Sequence, residues 1–329
     1  MHLLTTSHLP LWRQILSQNF TRLDRLADFL ELSAEQRTLL LSKPTFSLNL
    51  PRRIAAKMAK STLSDPLFRQ FVPLAEENHS MPGYQMDPVG DVPSRVSAKL
   101  LHKYQRRVLL ISTGACAMHC RYCFRQNFDY EIKDKSFDRE IELIEEDPSI
   151  TEVILSGGDP LTLTNEVLGD LLERLSQVAT LRKVRFHTRF PIGIPERIDA
   201  GFLEILRGVP LQIIFVIHAN HSRELDEEVL QALKQVRLAG GLMLCQSVLL
   251  KGVNDTVETL IALSETLVDN GILPYYLHQL DRVQGTAHFE VEEKRGAALI
   301  AEMMKSLPGY AIPRYVREVA GEMHKILLS

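Results

Sequence analysis

The sequence contains few cysteines and lacks long apolar runs. Four of its 329 residues are cysteines, and the formal net charge is −3. That cysteine content argues against a disulfide framework, which is typical of short, cysteine-dense chains. No apolar run approaches the about 18 residues needed to cross a bilayer, and the small net charge gives no sign of a nucleic-acid binder. Free cysteines suit a reducing compartment. We therefore expect a cytoplasmic protein that binds neither membrane nor nucleic acid.

Common nucleotide-binding motifs are also missing. The sequence has no GxGxxG fingerprint and no phosphate-binding P-loop, and it shows no internal repeat or low-complexity tract. A chain of this length has room for one large domain and a smaller appendage. The chemistry must therefore be sought in other residues.

The first 93 residues are predicted to form a helical region that ends in a loop. Apolar residues such as Leu11 and Ile15 recur at helical spacing. Ser33, followed by acidic and amide side chains, predicts the start of a further helix. Residues 81–93, MPGYQMDPVGDVP, are rich in Pro, Gly and Asp and resemble a linker. We expect the apolar stripes of this region to be packing surfaces.

After residue 93, apolar β-branched runs alternate with amphipathic helical patterns. About six such units in a row predict a parallel sheet, which is either doubly wound or a full or partial barrel. We expect an α/β fold, a partial (β/α)6-type TIM barrel over residues 94–310, with the N-terminal helical extension and a short C-terminal tail over 311–329. The predicted strands are Val108–Ser112, Glu152–Leu155, Lys183–His187, Gln212–Ile217, Met243–Leu249 and Pro274–Gln279.

Three cysteines lie close together directly after the first predicted strand. Cys116, Cys120 and Cys123 form a C-x3-C-x2-C arrangement, while Cys245 lies far away in an apolar run and is interpreted as a small buried residue. Three thiolates suit three corners of a four-iron cluster and leave one iron open for chemistry. A zinc site with His119 or a remote histidine is an alternative, although no second Cys-x2-Cys half is present. Inert cysteines are a third possibility.

The cysteine spacing, followed by Phe124-Arg125, resembles the signature of radical S-adenosylmethionine (SAM) enzymes, in which SAM occupies the open iron. The segment Gly157-Gly158-Asp159-Pro160 follows the second strand and resembles the SAM-contacting segment of these enzymes. By itself it would suit any tight turn. The other candidate residues also follow strand ends, so we expect them to share one rim of the barrel.

From about Leu101 to Lys325 the sequence resembles the lysine 2,3-aminomutase family. The stretches that carry this resemblance include ACAMHCRYCFR, LSGGDPL, HTRFPIGIPERI, QSVLLKGVND, PYYLHQLD and YVREVAGEMHK. The resemblance implies a [4Fe–4S] cluster, SAM and pyridoxal 5′-phosphate (PLP) as cofactors, with L-lysine as substrate and an external one-electron reductant. It implies [4Fe–4S] ligation by Cys116, Cys120 and Cys123, a PLP Schiff base on Lys325, PLP contacts from Arg189, Gln246 and Lys103, SAM contacts from Gly157, Gly158, Asp159 and His218, and substrate contacts from Arg125, Asp281 and Glu318.

The C-terminal segment departs from the catabolic members of that family. Those members have several glycines before the PLP lysine and further zinc-binding cysteines after it, whereas this sequence has Gly321-Glu322-Met323-His324 and ends at Ser329. It most resembles the short bacterial members, which make β-lysine for modification of elongation factor P. We therefore expect a functional link to elongation factor P and its lysyl ligase, and a homo-oligomer. A catabolic aminomutase, an aminomutase for another amino acid and a non-catalytic iron–sulfur regulator are the alternatives.

Overall fold

The computed structural model describes residues 9–130 and 136–329, so residues 1–8 of the predicted N-terminal region lie outside the described residues. The N-terminal region is helical, as predicted. Ser33 forms a capping box with Gln36, and Asp65 caps the helix that begins with Pro66. The helices of this region are α1 Leu11–Leu16, α2 Leu23–Phe29, α3 Ala34–Thr38, α4 Arg52–Ala56 and α5 Pro66–Phe71.

A nine-stranded sheet follows, with its strands ordered as they occur in the chain. Seven consecutive strands are parallel, and an antiparallel strand pairs with each end of this set. The strands are β1 Leu100–Tyr104, β2 Arg107–Thr113, β3 Glu152–Gly157, β4 Lys183–Thr188, β5 Gln212–His218, β6 Leu242–Val248, β7 Leu273–His278, β8 Arg314–Arg317 and β9 Ile326–Leu327.

Helices connect the parallel strands, which gives six β-α units before β8. Side chains from both ends of the sheet line one shared cavity, so the sheet curves around it. Within the described part of the chain no ladder joins β1 to β9. The predicted α/β class and the partial (β/α)6 barrel are therefore confirmed. The remaining helices are α6 Asp138–Glu146, α7 Asn165–Gln177, α8 Phe190–Gly193, α9 Ala200–Gly208, α10 Glu227–Leu238, α11 Val257–Asp269 and α12 Glu293–Met303.

Strand β4 alternates between a polar inner face and an apolar outer face. On β4, Arg185 and His187 line the cavity, whereas Val184 and Phe186 are fully buried in the main hydrophobic core. This alternation follows from the two-residue period of a strand. It places polar side chains inside the barrel, where a ligand can reach them.

The N-terminal helices pack on the barrel and share its main core. Trp12, Phe20 and Phe68 belong to the same buried cluster as Phe186, and the Trp12 ring meets Phe190 edge to face with centroids 5.5 Å apart. Burial of such aromatic side chains is a large source of stability. None of the helices in residues 9–130 and 136–329 combines the length and the apolar composition that a membrane crossing requires.

Candidate active site

All the residues predicted from the sequence to form the site line one cavity of about 410 Å³. The cavity is enclosed by the strands, the cysteine loop after β2 and the C-terminal segment. Its volume falls within the range of about 300–1,000 Å³ that is usual for ligand sites. The structure thus brings these residues together, and the roles of the individual residues stay predictions.

The three cysteines are half-buried free thiols on the loop after β2. Burial raises the pKa of Cys116, and the nearby Asp159 carboxylate adds to this effect. Burial and the neighbouring Cys120 raise the pKa of Cys123 to about 12. Thiolates here need a compensating positive charge, which iron supplies when bound. No three His, Cys, Asp or Glu side chains of the described residues are grouped to hold a single ion, and in a cluster each thiolate binds a different iron.

The two glycines after β3 allow the chain to approach the cysteine loop closely. A Cβ on Gly158 would lie 2.2 Å from the Ala115 carbonyl oxygen, and Gly157 has a φ of +107°. The Gly158 amide donates to the Thr113 carbonyl at 2.7 Å, and the Asp159 amide donates to Ala115 at 2.8 Å. These two amides are therefore occupied by the cysteine loop, and the predicted SAM contacts of this segment require other groups.

The Asp159 carboxylate organises the chain after β4. It accepts hydrogen bonds from the Thr188 hydroxyl and from the backbone amides of Leu161, Arg189 and Phe190 at 2.7–3.0 Å. Burial nevertheless raises its pKa. Its side chain anchors the loop that carries Arg189.

Arg189 lies against the cysteine loop. Its Nη1 donates to the Cys120 sulfur at 2.9 Å and to the Tyr122 hydroxyl. Its Nη2 donates to Gln70 at 2.7 Å and to Glu224 at 2.6 Å. The guanidinium thus places positive charge beside the Cys120 sulfur. These contacts place Arg189 beside the predicted cluster ligands, and its contact with PLP stays a prediction.

His218 and Gln246 are paired residues on adjacent strands β5 and β6. The His218 Nε2 lies 3.2 Å from the Tyr122 hydroxyl. Burial and the Arg189 charge lower the pKa of His218 well below its usual range, which keeps the ring neutral. Both side chains line the cavity, midway between the cysteine loop and the C-terminal segment in strand order.

Five charged side chains of alternating sign cross the cavity, and we call them the ion-pair chain. Asp91 contacts both the Arg125 Nε and the Lys103 Nζ at 2.6 Å. Lys103 also lies 3.0 Å from Glu318, which pairs with Lys325. Buried charges require such partners. The chain links the cysteine motif to the C-terminal lysine.

The C-terminal hairpin sets the position of Lys325. Strands β8 and β9 pair with Val316 opposite Leu327 and Arg317 opposite Ile326, so the next pair in this register is Glu318 and Lys325. The positive charges of Lys325 and Lys103 lower the pKa of Glu318 despite its burial. Glu318 is therefore ionised and holds the lysine at the cavity wall.

Asp281 is the unpaired acid of the site. Its carboxyl lines the cavity, and within the described residues it has no hydrogen-bond or ion-pair partner. Burial and repulsion from Glu318 raise its pKa to about 7. An ammonium group placed between Asp281 and Glu318 would satisfy both acids.

Several cavity residues were not predicted from the sequence. Asp91 and Ser156 contact Arg125; Asp91 lies in the Pro- and Gly-rich segment and Ser156 in the stretch LSGGDPL, and neither was assigned a role from the sequence. Arg107 lies over the Tyr104 ring at 4.7 Å, and Arg185 pairs with Glu152. Both arginines line the cavity. The same cavity therefore holds arginine donors that suit a phosphate and, in Lys325, an amine that suits an aldehyde.

Comparison with known proteins agrees with this geometry. Residues 105–190 match the family model described as a 4Fe-4S single cluster domain. The L-lysine 2,3-aminomutase of Escherichia coli is 39% identical over 97% of this chain and 94% of the relative. The Haemophilus influenzae enzyme of that name is 38% identical over 88% and 87%. A radical SAM methyltransferase from Sphaerobacter thermophilus is 15% identical over 66% of this chain and 68% of its own, with a TM-score of 0.44.

A partial parallel barrel with three cysteines after its first parallel strand defines the class of radical SAM enzymes. The identities over nearly the full length are more specific. The chain belongs to the lysine 2,3-aminomutase family. It is accordingly an isomerase that uses a [4Fe–4S] cluster, SAM and PLP.

Proposed function

We propose that this enzyme converts L-α-lysine to β-lysine, in the R configuration, by moving the amino group from C2 to C3. The observation that carries the proposal is the charge pattern of the cavity. At the end of the cavity formed by the cysteine loop, Arg125 has one guanidinium edge without a partner among the described residues. Near Lys325, Asp281 is an acid without such a partner. Lysine carries a carboxylate and an ε-ammonium that match these two groups.

Arg125 is proposed to bind the substrate carboxylate. Asp91 accepts from its Nε at 2.6 Å and Ser156 from its Nη1 at 3.2 Å. Within the described residues its Nη2 has no partner. Two fixed contacts hold the guanidinium and leave one edge for a carboxylate, which arginine recognises well.

Asp281 and Glu318 are proposed to bind the ε-ammonium. Asp281 is half-buried and its carboxyl has no hydrogen-bond or ion-pair partner among the described residues, and burial and the Glu318 charge raise its pKa to about 7, so a cation would stabilise its ionised form. Glu318 is shared between Lys103 and Lys325. Its carboxylate lines the same cavity as Asp281, so an ammonium placed between the two acids would contact both.

When bound, the cluster and SAM supply a 5′-deoxyadenosyl radical for hydrogen removal at C3, and PLP supplies the carbonyl carbon that carries the migrating nitrogen. Cys116, Cys120 and Cys123 would hold the cluster, and Lys325 would hold PLP. Arg107 and Arg185 add positive charge on the wall where a phosphate fits. The cavity would fix the substrate carbon chain between Arg125 and Asp281.

We further propose that the product serves modification of elongation factor P, as in the EpmB group of this family. The segment Gly321-Glu322-Met323-His324-Lys325 supports this assignment through the resemblance stated above. It predicts that the lysyl ligase for elongation factor P accepts the product.

One experiment tests the proposed reaction. Anaerobically reconstituted and reduced enzyme is incubated with SAM, PLP and each candidate amino acid, and the products are separated on a chiral column. We expect (R)-β-lysine from L-lysine. Formation of another β-amino acid in preference to β-lysine would overturn the substrate assignment. Transfer of the product to elongation factor P by the purified ligase tests the second proposal separately.

A further inference from the structure

The N-terminal region makes a dense set of contacts to the cluster-binding loop, residues 114–125. The Asn49 side chain donates to the Cys116 carbonyl at 3.0 Å, and the Asn19 side chain donates to the Ala117 carbonyl at 2.8 Å. The two asparagines also bond to each other at 2.7 Å. The backbone around the first cysteine is thus held by side chains about 70 to 100 positions earlier in the sequence.

The residues on either side of Cys120 are anchored in the same region. The His119 amide donates to the Asn49 carbonyl at 2.9 Å, and the His119 ring stacks on Phe46 with centroids 4.4 Å apart. The Arg121 amide donates to the Gln70 carbonyl at 2.8 Å. Cys120 is therefore fixed from both sides.

Arg121 carries the strongest of these contacts. Its Nε and Nη2 donate to the two carboxylate oxygens of Glu77 at 2.8 and 2.5 Å, and its Nη1 donates to the Phe46 carbonyl at 2.7 Å. The Arg121 and Glu77 side chains are 1% and 8% exposed. A two-pronged pair with this burial fixes geometry as well as charge.

We propose that the N-terminal helical region is a brace that positions the cluster-binding loop, and that Arg121 and Glu77 are its central positioning residues. Within the pair, the Glu77 carboxylate neutralises the Arg121 guanidinium, which lies two positions before Cys123. The ion pair therefore sets both the stability of the cluster and the charge beside it. This inference concerns the cluster alone, so it can fail while the proposed lysine reaction stands.

The test compares four variants of the reconstituted full-length enzyme, of which Asn49→Ala removes the side-chain contact to the Cys116 carbonyl. Glu77→Gln leaves the buried guanidinium without a carboxylate. Glu76→Gln is the matched control, because Glu76 is the neighbouring residue and its pair with Arg69 is exposed. The double variant Arg121→Met/Glu77→Met removes both charges and fills their space with apolar side chains. Replacement of a whole buried ion pair in this way is often neutral for stability. Iron release to a chelator and the midpoint potential of the cluster are measured without substrate.

We expect Glu77→Gln to release iron several-fold faster than the parent and to shift the midpoint potential to more positive values. An uncompensated positive charge favours the reduced cluster, which carries one more negative charge. The double variant should also release iron faster, since its loop contacts are lost, but without the positive shift. Glu76→Gln should match the parent in both measurements.

Parent-like iron release in the double variant would overturn the brace. A folded Glu77→Gln protein whose cluster has the midpoint potential of the parent would overturn the proposal that the ion pair sets the charge beside the cluster. If Glu77→Gln does not fold, the double variant and Asn49→Ala decide the question through iron release alone. Equal rates for those two variants and the parent would refute the proposal.

Discussion

At the scale of single residues, the site depends on charges that satisfy one another. Asp91 is almost fully buried and bridges Arg125 and Lys103, and it contacts no ligand in the proposed arrangement. It therefore acts through Arg125, whose free edge it orients. No local sequence pattern predicts the role of Asp91, because its partners lie 12 and 34 positions away in the sequence.

Replacement of Asp91 by asparagine should weaken lysine binding. Asp91→Asn keeps the shape and leaves two buried cations without their shared partner, which typically costs about 2–5 kcal/mol. We expect kcat/KM for lysine to fall by roughly 30-fold or more, with iron content unchanged. Asp170→Asn on the exposed face of α7 is the control. An unchanged kcat/KM would show that Arg125 needs no positioning by Asp91, whereas the lysine assignment itself would stand.

The pH dependence of the reaction should report Asp281. Burial and the charge of Glu318 raise the pKa of this acid to about 7, so the group that attracts an ammonium forms as pH rises through that value. We therefore expect kcat/KM for lysine to increase with pH across about 7, since this ratio reports the free enzyme. Asp281→Asn should abolish this rise, and Glu302→Gln on the surface should keep it. A rise that persists in Asp281→Asn would assign the titration to another group.

At the scale of elements, the central strands could be predicted and the flanking ones could not. The six predicted strands all occur, because each is a short run that contains several apolar, β-branched or aromatic residues. Strands β1, β8 and β9 were not predicted. They are short or carry polar residues such as Lys103 on a face that the cavity covers, so their sequences lack the expected alternation. Strand β9, of two residues, is defined by its partner β8 rather than by its own sequence.

For the site as well, features that are local in sequence could be predicted and contacts between distant segments could not. The cysteine motif and the glycine segment are local in sequence and were found directly. Glu318 and Lys325 were suggested only by resemblance, because their contact depends on the register of a hairpin that no turn motif announces. The use of the Gly158 amide by Thr113 likewise requires the close approach of two strands.

The hairpin should therefore be necessary for holding PLP. Leu328 donates to the Tyr315 carbonyl at 3.0 Å, and alternate pairs of an antiparallel ladder are bonded, so Ile326 is in a bonded pair with Arg317. Ile326→Pro removes that donor. We expect the PLP retained after gel filtration to fall several-fold with iron content unchanged, whereas Ile326→Val should retain PLP. Parent-like retention in Ile326→Pro would show that the hairpin does not place Lys325.

At the scale of the whole molecule, the barrel places the cysteine loop and Lys325 at opposite sides of one cavity in strand order. The cysteine loop lies at the first parallel strand and is held by the N-terminal region, and the lysine lies beyond the last parallel strand. The ion-pair chain spans the distance between them. A substrate that reaches from Arg125 to Asp281, as proposed, would carry a carboxylate at one end and an ammonium at the other, so these two residues would select for length and charge together.

Discrimination against norleucine should measure this selection. Norleucine has the carbon chain and carboxylate of lysine and lacks the ε-ammonium, so it leaves Asp281 without a cationic partner. Sites built for a polar group reject analogues that lack it, and we expect kcat/KM for lysine to exceed that for norleucine on the order of 10³-fold or more.

Asp281→Asn should lower kcat/KM for lysine and leave kcat/KM for norleucine unchanged or improved, because the neutral amide does not require a cation. The ratio should then fall at least about tenfold, which corresponds to about 1.4 kcal/mol. Competition assays with both amino acids in one anaerobic reaction give this ratio directly. The same ratio in the parent and in Asp281→Asn would mean that other groups read the far end of the substrate, and Asp281 would lose its assigned role.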